Sequence, residues 1–497
     1  MRVNRLYPIV MICVTFVVLM LAFPVNAWGP RSVHGITRTA IHVLPPDAGR
    51  VLREYQEEVL AGANLSEREL IERFPHYGFE DPVLTVVSEM ELLRAAKARG
   101  VSPYFAYRMG VLGKLVADMN QPFFTVPGAQ PGSRLKQQYE AEADAAAAGI
   151  PYESSKRRYV VDVGVYFEQS RTYLKDAEAL ITSDYDNGVG FKGYAKRSLN
   201  VYFTNSVNAV ADIWYTVFEE AGLPSQAVIR PVSLRDYYVD AVGFYLQRDD
   251  DERAGGTYSL LESAGMLDTD SIKEVADKYY QNDRHERAIS LYRTVLEREP
   301  RRADVRKTIS DYFFNTGLAL LEQKRYEEAE RAFDEVLKND LSRADARQRK
   351  LETARLMAER DKRLALTMET VEEARQAAQS AERARAQRKF AEAVALYRQA
   401  REAYGKVSGE FEDAYAEASQ KSEEIEAKIA RLIGDLVNDV AALQPVAVRE
   451  QAREAMRSSS ERGIRIFVTR LIQDEHIDKA ESLSSQLLEE ERRALQP

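Results

Sequence analysis

The side chains able to do chemistry are sparse in the first half of this chain, and the stretch Ala27-Trp28-Gly29-Pro30-Arg31-Ser32-Val33-His34 is where they begin. Upstream stand Arg2 and Arg5, an apolar run from Pro8 to Phe23, and Pro24-Val25-Asn26-Ala27, with small side chains where a signal peptidase reads. Cleavage after Ala27 leaves a free amine on Trp28, so residues 1–27 are expected to be a signal peptide and the mature protein to be exported, periplasmic or secreted. Kept uncleaved, the same run would be a membrane anchor at the short end for a spanning helix. The chain has five histidines, the usual metal ligands and proton carriers, and only His34, His42 and His76 precede residue 284. His34 falls in the first turn of a helix predicted over 33–43, which must stop before Pro45-Pro46. Without convergent partners a half-buried helix-start histidine is its plain reading. His42 lies about 80° around that helix from His34 and reads as packing. Asp81 precedes Pro82 and the apolar-periodic helix through Val83, Val86, Val87, Met90 and Leu93, where an N-cap role is sufficient for it. Lys114 and Asp118 are i and i+4 on one helical face, the spacing of a salt bridge.

Other chemistries are excluded. The only cysteine, Cys13, lies in the apolar run, so the mature chain has no disulfide, thiolate metal site or cysteine nucleophile. Charged residues make up 30% of the chain with both signs interspersed and a net charge of −9, which argues against nucleic-acid binding through a basic surface. Asp184-Tyr185-Asp186-Asn187-Gly188 has the look of a calcium loop, but its glycine comes one position early and Ala195 stands where a bidentate glutamate is needed. It reads as a turn.

A processed N-terminal tryptophan followed within two turns by a histidine resembles the opening of the zinc-dependent phospholipase C and single-strand nuclease superfamily. Leu112-Gly113-Lys114-Leu115-Val116-Ala117-Asp118-Met119-Asn120-Gln121-Pro122-Phe123-Phe124 is similar to a second element of that family. Asp118, Asn120, Gln121 and Pro122 fit its pattern, while Lys114 and Phe124 replace histidines and can donate no lone pair to a metal. The resemblance implies an all-helical domain and up to three zinc ions. One of these would be held by the amine and carbonyl of Trp28, by His34 and by Asp118, with Asp81 where the family has a further aspartate ligand. At the family's last element, a histidine and a glutamate four residues apart on a long helix, this chain offers Asn205-Ser206-Val207-Asn208-Ala209. Asn208 and Asp212 are i and i+4 there and read as polar groups on a packed helix. The imidazoles of the other two zinc sites are mostly missing, so one zinc at most is expected.

Beyond Arg248-Asp249-Asp250-Asp251-Glu252-Arg253-Ala254-Gly255-Gly256 the composition turns rich in Ala, Glu, Arg and Leu, which predicts helix throughout. Tyr279, Ala288, Tyr292 and Pro300 match a tetratricopeptide unit over about 269–302. Gly317, Ala329 and Phe333 mark a second, with Leu341 where proline is usual, and Ala393 and Tyr397 a third. From Ala288 to Ala329 is 41 residues and from Ala329 to Ala393 is 64, against about 34 for the standard repeat. Elongated helices or a degenerate unit are therefore expected between Arg347 and Ala384, and Ile477-Asp478-Lys479-Ala480 suggests a final unit.

The expected organisation is all-α: a signal peptide at 1–27, a phospholipase C-like helical domain at 28–247, a linker at 248–268, and tetratricopeptide-like repeats with elongated helices at 269–497. The function expected from it is an exported scaffold with a degenerate metal site, whose repeats bind a protein partner and which is not an integral membrane protein after processing. The alternative is a metal-dependent phosphoesterase acting on a phospholipid or other phosphodiester with a reduced site. The catalytic residues of such an enzyme are not identifiable from the sequence.

Overall fold

The computed structural model describes residues 28–442 apart from 79–80, 125–133, 148, 154 and 220–232. The expected signal peptide and the candidate unit at 477–480 lie outside the described residues. Among the described residues every regular element is a helix. Contacts divide the chain into two compact units, Met1–Val305 and Arg306–Pro497.

In the first unit α1 (Pro30–Val43), α2 (Pro46–Glu54), α3 (Gln56–Ala63), α4 (Glu67–Arg73), α5 (Pro82–Lys97), α6 (Pro103–Asp118), α7 (Arg134–Ala146), α8 (Val163–Asp186) and α9 (Tyr194–Phe218) form a bundle. Its axis is α6, all of whose residues are buried, as a helix flanked by α1, α3, α5 and α9 must be. Contact with α3 is backbone to backbone. A Cβ on Gly62 would come within 2.0 Å of the Tyr107 carbonyl oxygen, and one on Gly110 equally close to that of Val59. Pro82 and Pro103 open α5 and α6 behind the N-caps Asp81 and Ser102, a placement that costs no hydrogen bond because the first-turn N–H groups have no helical partner.

The rest of the described chain is built from helical hairpins. Four helix ends close in the same way, with a residue in the left-handed region at Asp249 (φ 56°), Asp283 (φ 60°), Lys324 (φ 60°) and Arg388 (φ 60°). The following N–H groups, of Asp250, Arg284, Arg325 and Lys389, reach back to the carbonyls of Tyr245, Tyr279, Leu320 and Ala384 at 2.9–3.0 Å, which is the Schellman closure. Five and nine residues after each turn come a buried small residue and a buried aromatic: Ala254 and Tyr258, Ala288 and Tyr292, Ala329 and Phe333, Ala393 and Tyr397. The alanine lets the second helix close on the first, and the ring fills the groove. At Gly317 a Cβ would stand 2.8 Å from the Phe333 ring.

The hairpins are α10–α11 (Leu234–Leu246, Asp251–Ser263), α12–α13 (Thr269–Gln281, His285–Arg298), α14–α15 (Ala303–Glu322, Tyr326–Asn339) and the end of α16 (Ala344–Ala386) with α17 (Phe390–Gly405), after which comes α18 (Glu412–Ala442). The stretch 248–268, expected as a linker, therefore holds α11. Its turn precedes that of the next hairpin by 34 residues, the standard repeat length. Gly255-Gly256 sits within this helix, both Cβ directions facing open space, and gave the segment its linker-like composition. The 43-residue α16 takes up the long interval before the last hairpin.

Candidate functional site

Trp28 enters the bundle as a pin. Its side chain is buried, and the indole N–H donates to the Ala117 carbonyl at 3.0 Å and to Ser206 Oγ at 3.2 Å. Ser206 donates to the same carbonyl at 3.1 Å. That carbonyl belongs to the last turn of α6, where it also accepts from the Asn120 N–H at 3.1 Å. The Trp28 main-chain nitrogen donates to Asp118 Oδ1 at 3.2 Å. Lys114 Nζ lies 3.2 Å from Asp118 Oδ2, so both oxygens of this buried carboxylate are engaged. Burial raises the Asp118 pKa against the opposing pull of Lys114.

Alongside stand Lys136 and Glu140 of α7, i and i+4 and 3.8 Å apart, both buried. Burial is the main cause that pushes the Glu140 carboxyl up to about 8. The Lys136 charge pulls it down and the Asp118 charge adds to the rise. Asp144, on the same helix, accepts from the Ser32 N–H at 2.7 Å and so caps α1 from a distance. Asn120 donates to the Val116 carbonyl at 2.8 Å, Gln121 is buried, and Phe123 packs on Tyr139 with ring centres 5.4 Å apart.

The proposed ligands divide. Trp28 and Asp118 are brought together. His34 is exposed on α1, and His42, expected to pack, is exposed as well. Asp81 caps α5, accepting from Val83 N–H at 2.9 Å and Leu84 N–H at 3.4 Å. Among the described residues no group of three or more His, Cys, Asp or Glu side chains gathers in a metal-binding arrangement.

Two further polar clusters were not foreseen. His76 Nε2 lies 2.6 Å from Glu89 Oε1, and Arg108, over the Phe74 ring, also pairs with Glu89; all three are buried. These charges hold the Glu89 carboxyl near 2 despite its burial. Asn208 and Asp212 of α9 hold down the extended stretch 155–162. Asn208 Oδ1 accepts from Ser155 Oγ at 3.0 Å, and Asp212 accepts from the Arg158 N–H at 3.0 Å, from Tyr166 OH at 3.1 Å, and pairs with Arg157 at 3.1 Å. Their i, i+4 spacing was the only signal of this in the sequence.

Residues 249–373 match the family model of the soluble NSF attachment protein, SNAP. The match begins at the turn residue of the α10–α11 hairpin, and this part of the chain is a helical repeat region of the kind that suits protein partners. No curated protein matches the chain. Among the described residues no helix is long and apolar enough to cross a membrane.

Proposed function

We propose that this is an exported interaction protein. Its N-terminal bundle is a phospholipase C-like scaffold with a degenerate metal site, and its repeats recruit a protein partner. The observation that carries the reading is the occupation of Asp118 by Lys114 and the Trp28 nitrogen, each at 3.2 Å. A zinc ion at Trp28, His34 and Asp118 would have to displace an ammonium paired with its carboxylate ligand and draw in an imidazole from an exposed face. The donors as arranged do not fit a tetrahedral site. The hydrogen bond from the Trp28 nitrogen to Asp118, whose other oxygen is held by Lys114 of the same helix, ties the chain entering α1 to the end of α6 and does the structural work of such a metal without its chemistry.

The test is the zinc content of chains that begin at Trp28, as wild type, His34→Ala and Asp118→Ala. Equally low, substoichiometric zinc is expected in all three. One zinc per chain, lost in both variants, would overturn the scaffold reading in favour of the phosphoesterase. N-terminal sequencing from the natural host should return Trp28, and an intact Met1 in the membrane fraction would replace export of a processed chain with anchoring.

A further inference from the structure

The middle of α16 leaves one face without a described neighbour. Its buried residues end at Thr353 and resume at Val371, leaving 354–370, a span of about 25 Å, without one. Across this span and its flanks, Leu351, Ala358, Ala365 and Leu366 share a stripe with Lys362, Glu369 and Glu373, since steps of three, four and seven residues keep to one face. All are exposed, Leu351 to 73% and Leu366 to 64%. Arg360 and Arg363 on other faces are committed, to Glu327 and Glu410 at 2.6 Å each. Lys362, Glu369 and Glu373 have no ion pair among the described residues.

We infer that this face pairs with the same face of a second copy, the two helices running antiparallel about a two-fold axis beside Ala365 and Leu366. The charge order decides both the occupant and its direction. Reversal of the helix sets Lys362 of each copy opposite Glu369 of the other, two complementary contacts for one axis, as an isologous interface requires. A parallel pair would set Lys362 against Lys362 and Glu369 against Glu369. At the centre Leu366 of each copy lies over Ala365 of the other, a large residue over a small one, which lets the helices approach closely. One helix pair of this length is at the low end of specific interfaces, so the dimer is expected to dissociate in the micromolar range. The inference uses residues 351–373 alone and is independent of the metal site.

Sedimentation velocity on the full chain, from about 1 to about 100 µM, is the test. A concentration-dependent dimer is expected. Lys362→Glu should weaken it about tenfold, because two like-charge contacts replace two pairs, and Lys362→Glu combined with Glu369→Lys should restore it. Leu366→Asp should leave a monomer with unchanged helix content by circular dichroism. A dimer indifferent to both Lys362→Glu and Leu366→Asp overturns the inference. So does a monomer at every concentration, whether the face is bare or residues 443–497 of the same chain cover it.

Discussion

The N-terminal bundle and the hairpins that follow it solve the same problem, the burial of helical surface, with different materials. Between residues 28 and 218 the described core contains His76, Glu89, Arg108, Lys114, Asp118, Lys136, Glu140 and Asp212. From residue 233 onward no described Asp, Glu, Lys, Arg or His is buried, and the buried polar groups are hydroxyls, of Ser271, Ser310 and Thr353 and of tyrosines such as Tyr292 and Tyr397. Charged groups of the hairpins lie on the surface in exchangeable pairs such as Arg375–Glu417 and Lys428–Glu382. A buried ion loses several kcal/mol of hydration unless its partners are well placed, so it ties the core to one arrangement, whereas exposed pairs contribute little and can change. The hairpins can therefore lengthen a helix from one unit to the next while keeping their turn, and the bundle cannot shift a helix without stranding a charge.

The contrast is most exposed at Arg108. Arg108→Met removes the guanidinium partner of the buried Glu89 carboxylate and should lower stability by about 3–5 kcal/mol, read from the midpoint of chemical denaturation. A loss below about 1 kcal/mol would mean that the bundle treats its charges as the hairpins do. Next comes Glu140, where the sign of the pH effect matters. Its folded-state carboxyl, at about 8, keeps a proton that the unfolded chain releases near the ordinary glutamate value of 4.5, so stability is fully present below that value and falls as pH rises to about 8. Glu140→Gln should match wild type near pH 4.5 and exceed it by about 2 kcal/mol at pH 8, with the loss of Lys136's partner limiting the gain. A gain equal at both pH values would show that Glu140 does not titrate in that window. The smallest effect belongs to the hairpins: Asp249→Gly should stabilise by about 0.5–1 kcal/mol, because glycine takes a positive φ without the Cβ contact that strains aspartate. Destabilisation would mean that the ion pair between Asp249 and Arg284 outweighs the turn.

Local chemistry was legible in the sequence wherever its partners were close along the chain. The Asp81 cap, the Lys114–Asp118 pair and the Ala-to-aromatic spacing of three hairpins each fall within ten residues. The fourth hairpin had the same spacing in Ala254 and Tyr258 but was hidden by Asp249-Asp250-Asp251 and Gly255-Gly256, residues that on composition alone read as a boundary. Asp144 capping α1 across 112 residues, and Asp212 accepting from Arg158 across 54, have no local pattern at all. The turns escaped for another reason. Aspartate gives a weak hint of a positive φ and lysine and arginine give none, so at Lys324 and Arg388 it is imposed by the closure of the hairpin and not by the residue.

The pin at Trp28 also determines what light can report. The chain has two tryptophans, Trp28 and Trp214, both buried in the bundle, with Trp214 donating to the Met109 carbonyl at 2.8 Å much as Trp28 does to that of Ala117 at 3.0 Å. Intrinsic emission from both indoles therefore follows the surroundings of a single helix, α6, and tyrosine is the intrinsic fluorophore left to the hairpins. A melt followed by tryptophan emission and one followed by far-ultraviolet dichroism will coincide only where bundle and hairpins unfold together, so the gap between the two curves measures their cooperativity without any label.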